Sequence, residues 1–427
     1  MTALDDPATH EISWEQPRDS AVPPTDADPP RNFAQRWIWV AAWPVAAVFV
    51  LSNAATPLYV LWQHDIGFSK GVSTVVFACY IVGLLGSLLV SGLASDRWGR
   101  RRIMVPALLL ALTACALFAV ADTVLMLMIA RLCTGIAVGA TVSAGMAAVT
   151  DVAGPGNANR AALLASCAMV FGAGLGPLLA GVLSETLPAP TTLVFVVEAL
   201  ILVTALIAML RLPLARPTNA PHGAWIRFPA VPRGYGRYLL PGIAAFAPGI
   251  TATSFVLSLG PALLSGLLGT SNRIVAGAMA FTMFLLATGV QFAVRTLGHR
   301  TVLSLSIVST GTAMASLVTA VHTGAIPILV AAALLAGAGQ GLGQLAGLSL
   351  LSAHLPQHRL AEGNAALNVG GYLPAGLLPV SAGYLSDAIG LQSGTTIFAV
   401  VLLAAVGTAA PVIHRRSAAA SSSFTTV

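Results

Sequence analysis

Twelve long apolar stretches run through this chain, and they limit what it can fold into. A helix needs roughly 20 apolar residues to cross the hydrocarbon core of a bilayer, and twelve segments reach this length. Several are rich in glycine and proline, which membrane helices tolerate when neighbouring helices satisfy the freed backbone groups. The segments are residues 37–61, 71–94, 103–121, 124–150, 161–184, 191–212, 239–264, 273–294, 301–321, 325–352, 362–386 and 393–413.

Composition agrees with a membrane protein. Hydrophobic residues make up 56% of the 427 residues and charged residues only 8%, too few charges to cover the surface of a soluble protein of this size. The formal charge of +6 could indicate a nucleic-acid partner. The basic residues instead lie in short loops between apolar stretches, so no nucleic-acid partner is expected. The four cysteines lie within apolar runs without metal-ligand spacing, so neither a metal nor another cofactor is expected.

The positive charges predict the orientation in the membrane. Of the 21 lysines and arginines, only Lys70 and Arg273 fall in outer segments when both termini are cytoplasmic. Arg131 falls inside a helix, and the other eighteen are on the inner side, as the positive-inside rule requires. Residues 1–35 are polar and acidic without an apolar core, so we expect a disordered cytoplasmic tail rather than a signal peptide. The predicted localisation is the inner membrane of a bacterium.

The chain divides into two similar halves. Residues 36–212 and 239–416 each hold six apolar segments, separated by a polar linker at 213–238 and followed by a tail at 417–427 that is expected to be disordered. The segment from Leu175 to Glu185, L-G-P-L-L-A-G-V-L-S-E, returns at Leu377 to Asp387 as L-L-P-V-S-A-G-Y-L-S-D, 202 positions later. Gly135 and Gly139 fall on Gly337 and Gly341 at the same offset. Halves related in this way usually enclose a substrate path near the bilayer midplane.

A loop motif links the chain to a known family. Residues Gly92 to Arg102 read G-L-A-S-D-R-W-G-R-R-R in a short cytoplasmic turn after the second apolar segment. The sequence resembles the major facilitator superfamily, whose hallmark loop is Gly-x-Leu-x-Asp-Arg-x-Gly-Arg followed by two basic residues. The resemblance covers residues 36–416 and implies an all-α membrane fold of twelve helices in two pseudo-symmetric halves. It also implies transport of a small molecule by alternating access.

The loop motif has the chemistry of a conformational latch. Gly92 would allow close approach of another helix, and Gly99 supplies a sharp turn. Asp96 can accept hydrogen bonds from Arg100 and, by the family pattern, face the positive N-terminus of the eleventh helix when the inner side is closed. Alternatively, the arginines serve only to anchor the topology. The residues predicted to form the latch are Gly92, Asp96, Arg97, Gly99, Arg100 and Asp151.

Two ionisable residues within the membrane are candidates for proton coupling. Arg131 and Glu198 each lie about seven residues from the outer end of a helix. Ionisable groups at such depth are expensive and indicate a functional site by default. We predict an Arg131–Glu198 pair that proton binding would break; the alternative for Arg131 is that its side chain reaches the outer surface. The family gives such an arginine a part in proton transfer or in binding an anionic substrate.

The fifth segment resembles an exporter motif. Residues Gly172 to Gly181 read G-A-G-L-G-P-L-L-A-G, close to the Gly-x-x-x-Gly-Pro-x-x-Gly-Gly pattern of the superfamily's exporters, with Ala180 in place of one glycine. The motif residues are Gly172, Gly176, Pro177 and Gly181. Glycines four apart let helices touch, and the proline bends the segment. The same residues could instead serve only for tight packing.

Polar residues on three helices are candidates for the substrate cavity: Asn53, Tyr59, Gln340, Gln344, Asn368 and Tyr372. Gln340 and Gln344 lie one turn apart, as do Asn368 and Tyr372. Each could also be a hydrogen-bonding contact between helices. A surface of amides, hydroxyls and aromatic rings suits a neutral or mildly amphiphilic small molecule.

The predicted function is proton-coupled efflux of a small molecule by a monomeric membrane protein, and no enzymatic site is expected. A proton-symport importer of a sugar or other small metabolite is the alternative, because the same fold supports it. A non-transporting membrane sensor with this fold is a third possibility.

Overall fold

The computed structural model describes residues 31–154, 157–214, 236–267, 269–270, 272–356 and 359–422. The described residues are helical apart from short turns and contain no strand. We number the twelve long helices α1 to α12. They are α1 (Arg31–Ala54 and Tyr59–Ile66), α2 (Lys70–Trp98), α3 (Arg100–Ala119), α4 (Val124–Ala140 and Met146–Ala153), α5 (Ala158–Thr186), α6 (Pro190–Arg211), α7 (Gly236–Gly266), α8 (Arg273–Ala293), α9 (His299–Thr323), α10 (Ile326–His354), α11 (Leu360–Ile389) and α12 (Leu391–Ser422).

The helices confirm an all-α membrane fold. Eleven of them are long and apolar enough to cross a membrane by length and composition. The remaining one, α11, has 30 residues and is long enough to do the same. Proline breaks α1 at a 3₁₀ turn, Thr56–Leu58, because Pro57 has no backbone N–H to donate. A π-helical turn, Thr141–Gly145, interrupts α4.

Helix ends differ from the predicted boundaries at both tails. The first helix begins at Arg31, within the segment expected to be a disordered tail, whereas residues 1–30 lie outside the described part. The last helix continues to Ser422, so residues 417–422 are helical rather than disordered. Ala418, Ala419 and Ala420 are strong helix formers and extend the helix beyond its apolar part. Most of the predicted linker at 213–238 lies outside the described residues, and α7 begins at Gly236.

The two halves repeat the same helix packing. A Cβ atom added at Gly135 of α4 would overlap the Tyr80 carbonyl of α2, and one at Gly337 of α10 would overlap the Met283 carbonyl of α8. Gly139 and Gly341, one turn later, lie in the same way against Leu84 and Ala287. Small residues at these positions let the helix backbones touch, which is how membrane helices gain packing contact. The internal repeat is therefore structural as well as sequential.

Two helix pairs form most of the contact between the halves, and α1 and α2 also touch α7. Helix α5 packs on α8, where Gly181 meets Arg273, Pro177 meets Gly277, and Gly174 meets Phe281. Helix α2 packs on α11 in the equivalent way. Its contacts are Gly71 with Tyr384 and Asp387, Thr74 with Gly383, and Ile81 with Gly376. All of these contacts lie in the halves of the helices predicted to face outward, which we call the outer side; the opposite halves form the inner side.

Candidate transport site

Arg131 is a fully buried charged group of the N-terminal half. The sequence L-M-I-A-R-L-C-T-G places it seven residues after the start of α4, and it is 0% exposed. Its Nε donates a hydrogen bond to the Tyr59 hydroxyl (2.6 Å), and one terminal nitrogen donates to the Ser52 carbonyl oxygen (2.7 Å). The other terminal nitrogen has no partner among the described residues. Arg131 therefore does not reach the outer surface in this conformation, and it keeps one donor for a further acceptor.

Aromatic rings surround the guanidinium. Its central carbon lies 5.1 Å from the Tyr59 ring centroid, 5.7 Å from that of Phe77 and 5.9 Å from that of Phe118. Cations are attracted to the faces of aromatic rings, and the attraction strengthens where water is excluded. The rings therefore stabilise a charge that has no carboxylate partner.

Glu198 is buried separately from Arg131. It is 0% exposed, and neither carboxylate oxygen has a hydrogen-bond partner among the described residues. The predicted Arg131–Glu198 ion pair is not formed in this structure, because Arg131 bonds to Tyr59 and Ser52 of α1 instead. Glu198 lies one turn after Phe195 on α6 and near Cys115 of α3.

An aromatic cluster of Trp62, Phe118 and Phe195 occupies the space beside both ionisable groups. Phe118 stacks on Phe195 with ring centroids 4.7 Å apart, and Trp62 stacks on both rings at 5.7 and 6.0 Å. Phe118 faces Arg131, whereas Phe195 shares one side of α6 with Glu198. The cluster was not predicted. Its only sequence signal is that Cys115 and Phe118, like Phe195 and Glu198, are three residues apart.

The predicted cavity residues occupy different environments. Tyr59 is 1% exposed and bonded to Arg131, whereas the Asn53 amide donates to the Ser52 hydroxyl (3.0 Å) and the Ala173 carbonyl (3.4 Å). Both therefore bridge helices of the N-terminal half in this conformation. In the C-terminal half, the Gln340 side-chain oxygen is buried without a partner among the described residues.

Tyr372 and its neighbours line the contact between the halves. The Tyr372 ring meets Phe246 of α7 edge-on, with centroids 6.1 Å apart, and Tyr372 lies near Tyr80 of the other half. Asn368, one turn earlier on α11, and Gln344, one turn after Gln340, are both half-buried.

The exporter-type motif on α5 lies between the two halves. Gly172 and Gly176 lie against the Ala46 and Val50 carbonyls of α1, without room for a side chain. Pro177 and Gly181 face the opposite way and contact α8. The motif thus joins a helix of its own half to a helix of the other half.

The loop motif forms a charged network at the inner side. Arg100 donates hydrogen bonds to Asp96, to Asp151 (2.9 Å) and to the Ser95 hydroxyl (2.7 Å), which ties α2, α3 and α4 together. Gly99 has φ of 94°, a conformation that favours glycine, at the turn between α2 and α3. A Cβ atom added at Gly92 would lie 3.8 Å from the Ser143 Cβ, its nearest neighbour. Arg97 is half-buried beside this network.

The Arg100 hydrogen bonds to Ser95, Asp96 and Asp151 all stay within the N-terminal half. Glu362, in the first turn of α11, accepts hydrogen bonds from Arg359 of its own half (2.7 Å from Nε). The described contacts between α2 and α11 lie at the outer side.

Comparison with protein families settles the class of this fold. A family model described as Major Facilitator Superfamily matches residues 38–295, more than half of the chain. The chain belongs to the major facilitator superfamily. Members of this family are multi-pass membrane proteins that transport small molecules, and the eleven apolar helices of this chain agree with a multi-pass membrane protein.

Individual relatives are distant. The chain is 35% identical over 104 residues to a 3-(3-hydroxy-phenyl)propionate transporter of Escherichia coli, over 23% of this chain and 25% of that protein. It is 30% identical over 161 residues to the major facilitator-type transporter psiT2 of Psilocybe cyanescens, over 36% of this chain and 28% of that one. The chain thus matches only about a quarter of the length of these relatives.

Solved structures share the whole fold. A bacterial homologue of the human lysosomal transporter Spinster, in an inward-facing and unoccupied conformation, superposes with a TM-score of 0.73 at 13% identity. That match covers 91% of this chain and 99% of the other. The nucleoside transporter NupG gives a TM-score of 0.68 at 12% identity, covering 90% of this chain and 99% of NupG. The human organic anion transporter MFSD10 gives 0.61 at 19% identity, covering 90% of this chain and all (100%) of that protein.

Proposed function

We propose that this protein exports a small organic molecule from a bacterial cell in exchange for protons, as a monomer with both termini in the cytoplasm. The observation that carries the proposal is the position of the exporter-type motif. Gly172 and Gly176 contact α1, while Pro177 and Gly181 contact α8 of the other half. A bent, closely packed helix at this position can keep the outer side sealed while the inner side loads substrate.

Glu198 supports the proton coupling. A carboxylate with 0% exposure and no hydrogen-bond partner among the described residues is costly to keep charged, so a neutral, protonated form is favoured in this conformation. A change of helix packing that hydrates Glu198 would release that proton. Arg131 stands beside the same aromatic cluster with an unused donor, so it can respond to the charge on Glu198 without forming an ion pair.

The surroundings of Arg131 support an aromatic or weakly acidic substrate. The unpartnered terminal nitrogen of Arg131 and the nearby rings of Tyr59, Phe77 and Phe118 offer charge-assisted hydrogen bonding and apolar contact. The names of a phenylpropionate transporter and an organic anion transporter among the relatives are in keeping with such a substrate. A multiply charged substrate would lack matching groups.

The experiment is an accumulation assay in bacterial cells that lack their own exporters. The panel contains an aromatic carboxylic acid, a nucleoside, a sugar and a neutral amphiphile. Cells carrying wild type, Asp96→Asn or empty vector are compared with and without a proton uncoupler. Lower accumulation with wild type alone, abolished by the uncoupler, is the expected result. Higher accumulation would make the protein an importer, and no change with any compound would favour a sensor.

A further inference from the structure

Two carboxylates at equivalent positions of the internal repeat reach across to the opposite half. Glu185 ends the first copy of the repeated segment on α5, and Asp387 ends the second copy on α11. Neither belongs to the predicted latch or to the predicted cavity residues, and neither contacts Arg131 or Glu198. Both lie at the outer side, where the halves meet.

Glu185 binds the first residue of α8. Its Oε1 accepts a hydrogen bond from the Arg273 backbone N–H (2.7 Å) and another from Arg273 Nε (2.9 Å). The Glu185 side chain is 27% exposed and that of Arg273 is 19% exposed, so water screens the contact only in part. Charge-assisted hydrogen bonds of this kind are about twice as strong as neutral ones.

Asp387 binds the first turn of α2 in the same manner. Its two oxygens accept hydrogen bonds from the backbone N–H groups of Lys70 (3.1 Å) and Gly71 (2.8 Å). The first N–H groups of a helix have no partner within the helix and carry the positive end of its dipole. A carboxylate from the other half thus satisfies donors that would otherwise turn to water.

Close backbone packing accompanies each carboxylate. A Cβ added at Gly71 would lie 2.6 Å from the Tyr384 ring and 2.9 Å from Asp387 Oδ2. A Cβ added at Gly181 would lie 2.5 Å from the Arg273 carbonyl oxygen. The start of α2 and the start of α8 therefore abut the partner helices without space for a side chain.

The two basic residues predicted for the outer side lie at these contacts. Lys70 and Arg273 are the only basic residues predicted for the outer segments, and they are 203 positions apart. Each is the first residue of a helix that a carboxylate of the other half caps. Topology alone does not call for a basic residue on the outer side. Arg273 uses its charged side chain in its contact, whereas Lys70 donates its backbone N–H.

We propose that Glu185 with Arg273, and Asp387 with Lys70 and Gly71, are two symmetry-related outer clasps that hold the outer side closed and must both release before it opens. The proposal rests on the alternating-access function proposed above. It assigns the outer side a device that mirrors the inner latch in purpose but uses different residues. Each half supplies one carboxylate and one helix N-terminus.

The test measures the width of the outer side directly. Spin labels are attached at Asp122→Cys and Thr323→Cys, two exposed positions on opposite halves, in a variant whose four native cysteines are replaced by alanine. Distances are recorded by pulsed electron paramagnetic resonance on the full chain in lipid nanodiscs without substrate. We expect Glu185→Gln and Asp387→Asn each to raise the ratio of long to short distances about fivefold. The double variant should raise it about 25-fold, because the two clasps share no partner.

Two controls separate the clasps from general effects. Asp65→Asn removes an exposed outer carboxylate whose described contact is its neighbour His64, and it should leave the distances unchanged. Gly71→Ala and Gly181→Ala leave both carboxylates in place but force the clasps apart, so they should also favour long distances. Gly86→Ala, where nothing lies within 4 Å of the added Cβ, should not.

Unchanged distances in the double variant and in both glycine variants would overturn the proposal. If the double variant fails to insert, the single variants and the glycine variants decide the question alone. The distances are recorded without substrate, so a failure of the efflux proposal in the accumulation assay leaves this test valid. Conversely, unchanged distances would refute the clasps even if export were established.

Discussion

At the scale of single residues, the buried Arg131 depends on Tyr59. The hydroxyl accepts the Nε hydrogen bond at 2.6 Å in a site with no exposed surface. We expect Tyr59→Phe to lower the free energy of unfolding by about 1–3 kcal/mol, because a buried guanidinium donor loses its partner and water cannot replace it. Thermal unfolding in detergent measures the change. Tyr384→Phe is the matched control, since its side chain is half exposed and should shift stability by less than about 0.5 kcal/mol.

Equal stability of Tyr59→Phe and wild type would mean that water reaches Arg131. In that case the Arg131 guanidinium would be hydrated, and the proposal that it binds a substrate at a water-free site would lose its support.

Glu198 gives the second prediction at this scale. Gln has the same shape but cannot release a proton, so we expect Glu198→Gln to fold with at least wild-type stability and to lose uncoupler-sensitive transport. Proton release from the lumen of proteoliposomes, after substrate is added outside, is the measurement. Asp65→Asn, at an exposed carboxylate, should retain coupling. Full coupling in Glu198→Gln would remove this residue from the mechanism.

The sequence predicts these ionisable residues better than their partners. Arg131 is evident because charged residues are rare within apolar segments. Its acceptor Tyr59 lies 72 positions away, and no local pattern connects the two. The ion pair with Glu198 was expected from equal depth in the membrane. Depth does not fix which way a helix face points, and the aromatic rings of Phe118 and Phe195 occupy the region beside both groups.

At the scale of helices, the glycine spacing explains the repeated packing. Gly135 and Gly337 occupy equivalent positions, each against a backbone carbonyl of the neighbouring helix. We expect Gly135→Ala and Gly337→Ala each to destabilise the protein by about 1–3 kcal/mol through overpacking. Gly86→Ala, with open space around the added methyl group, should be neutral or stabilising by up to about 1 kcal/mol. Thermal unfolding of the three variants checks this order, and equal effects would contradict the packing argument.

Helix boundaries and repeats could be predicted because apolar length and glycine spacing are local signals. Contacts between the halves could not be predicted, because no local signal reports them. The carboxylates Glu185 and Asp387 read as ordinary polar residues at helix ends, and only the fold shows that each caps a helix of the other half. The helical extension to Ser422 was also missed, because an Ala/Ser-rich composition suits both a helix and a disordered tail.

At the scale of the whole molecule, the inner latch and the outer clasps should oppose each other. In this conformation the clasps are closed, and Arg100 holds Asp96 and Asp151 within one half. If Asp96 faces α11 when the inner side closes, Asp96→Asn weakens the outward-open state, whereas Glu185→Gln with Asp387→Asn weakens the inward-open state. Substitutions that destabilise opposite states cancel in the equilibrium between them.

We therefore expect Asp96→Asn alone to shift the spin-label distances towards short values and the double clasp variant to shift them towards long values. The triple variant should return towards the wild-type distribution and recover part of the transport rate that the double variant loses. Because the clasps and the latch lie at opposite ends of the helices, their effects should add. A triple variant with the distances of the double variant would show that Asp96 does not stabilise the outward-open state. The loop motif would then serve the topology of the chain rather than its switching.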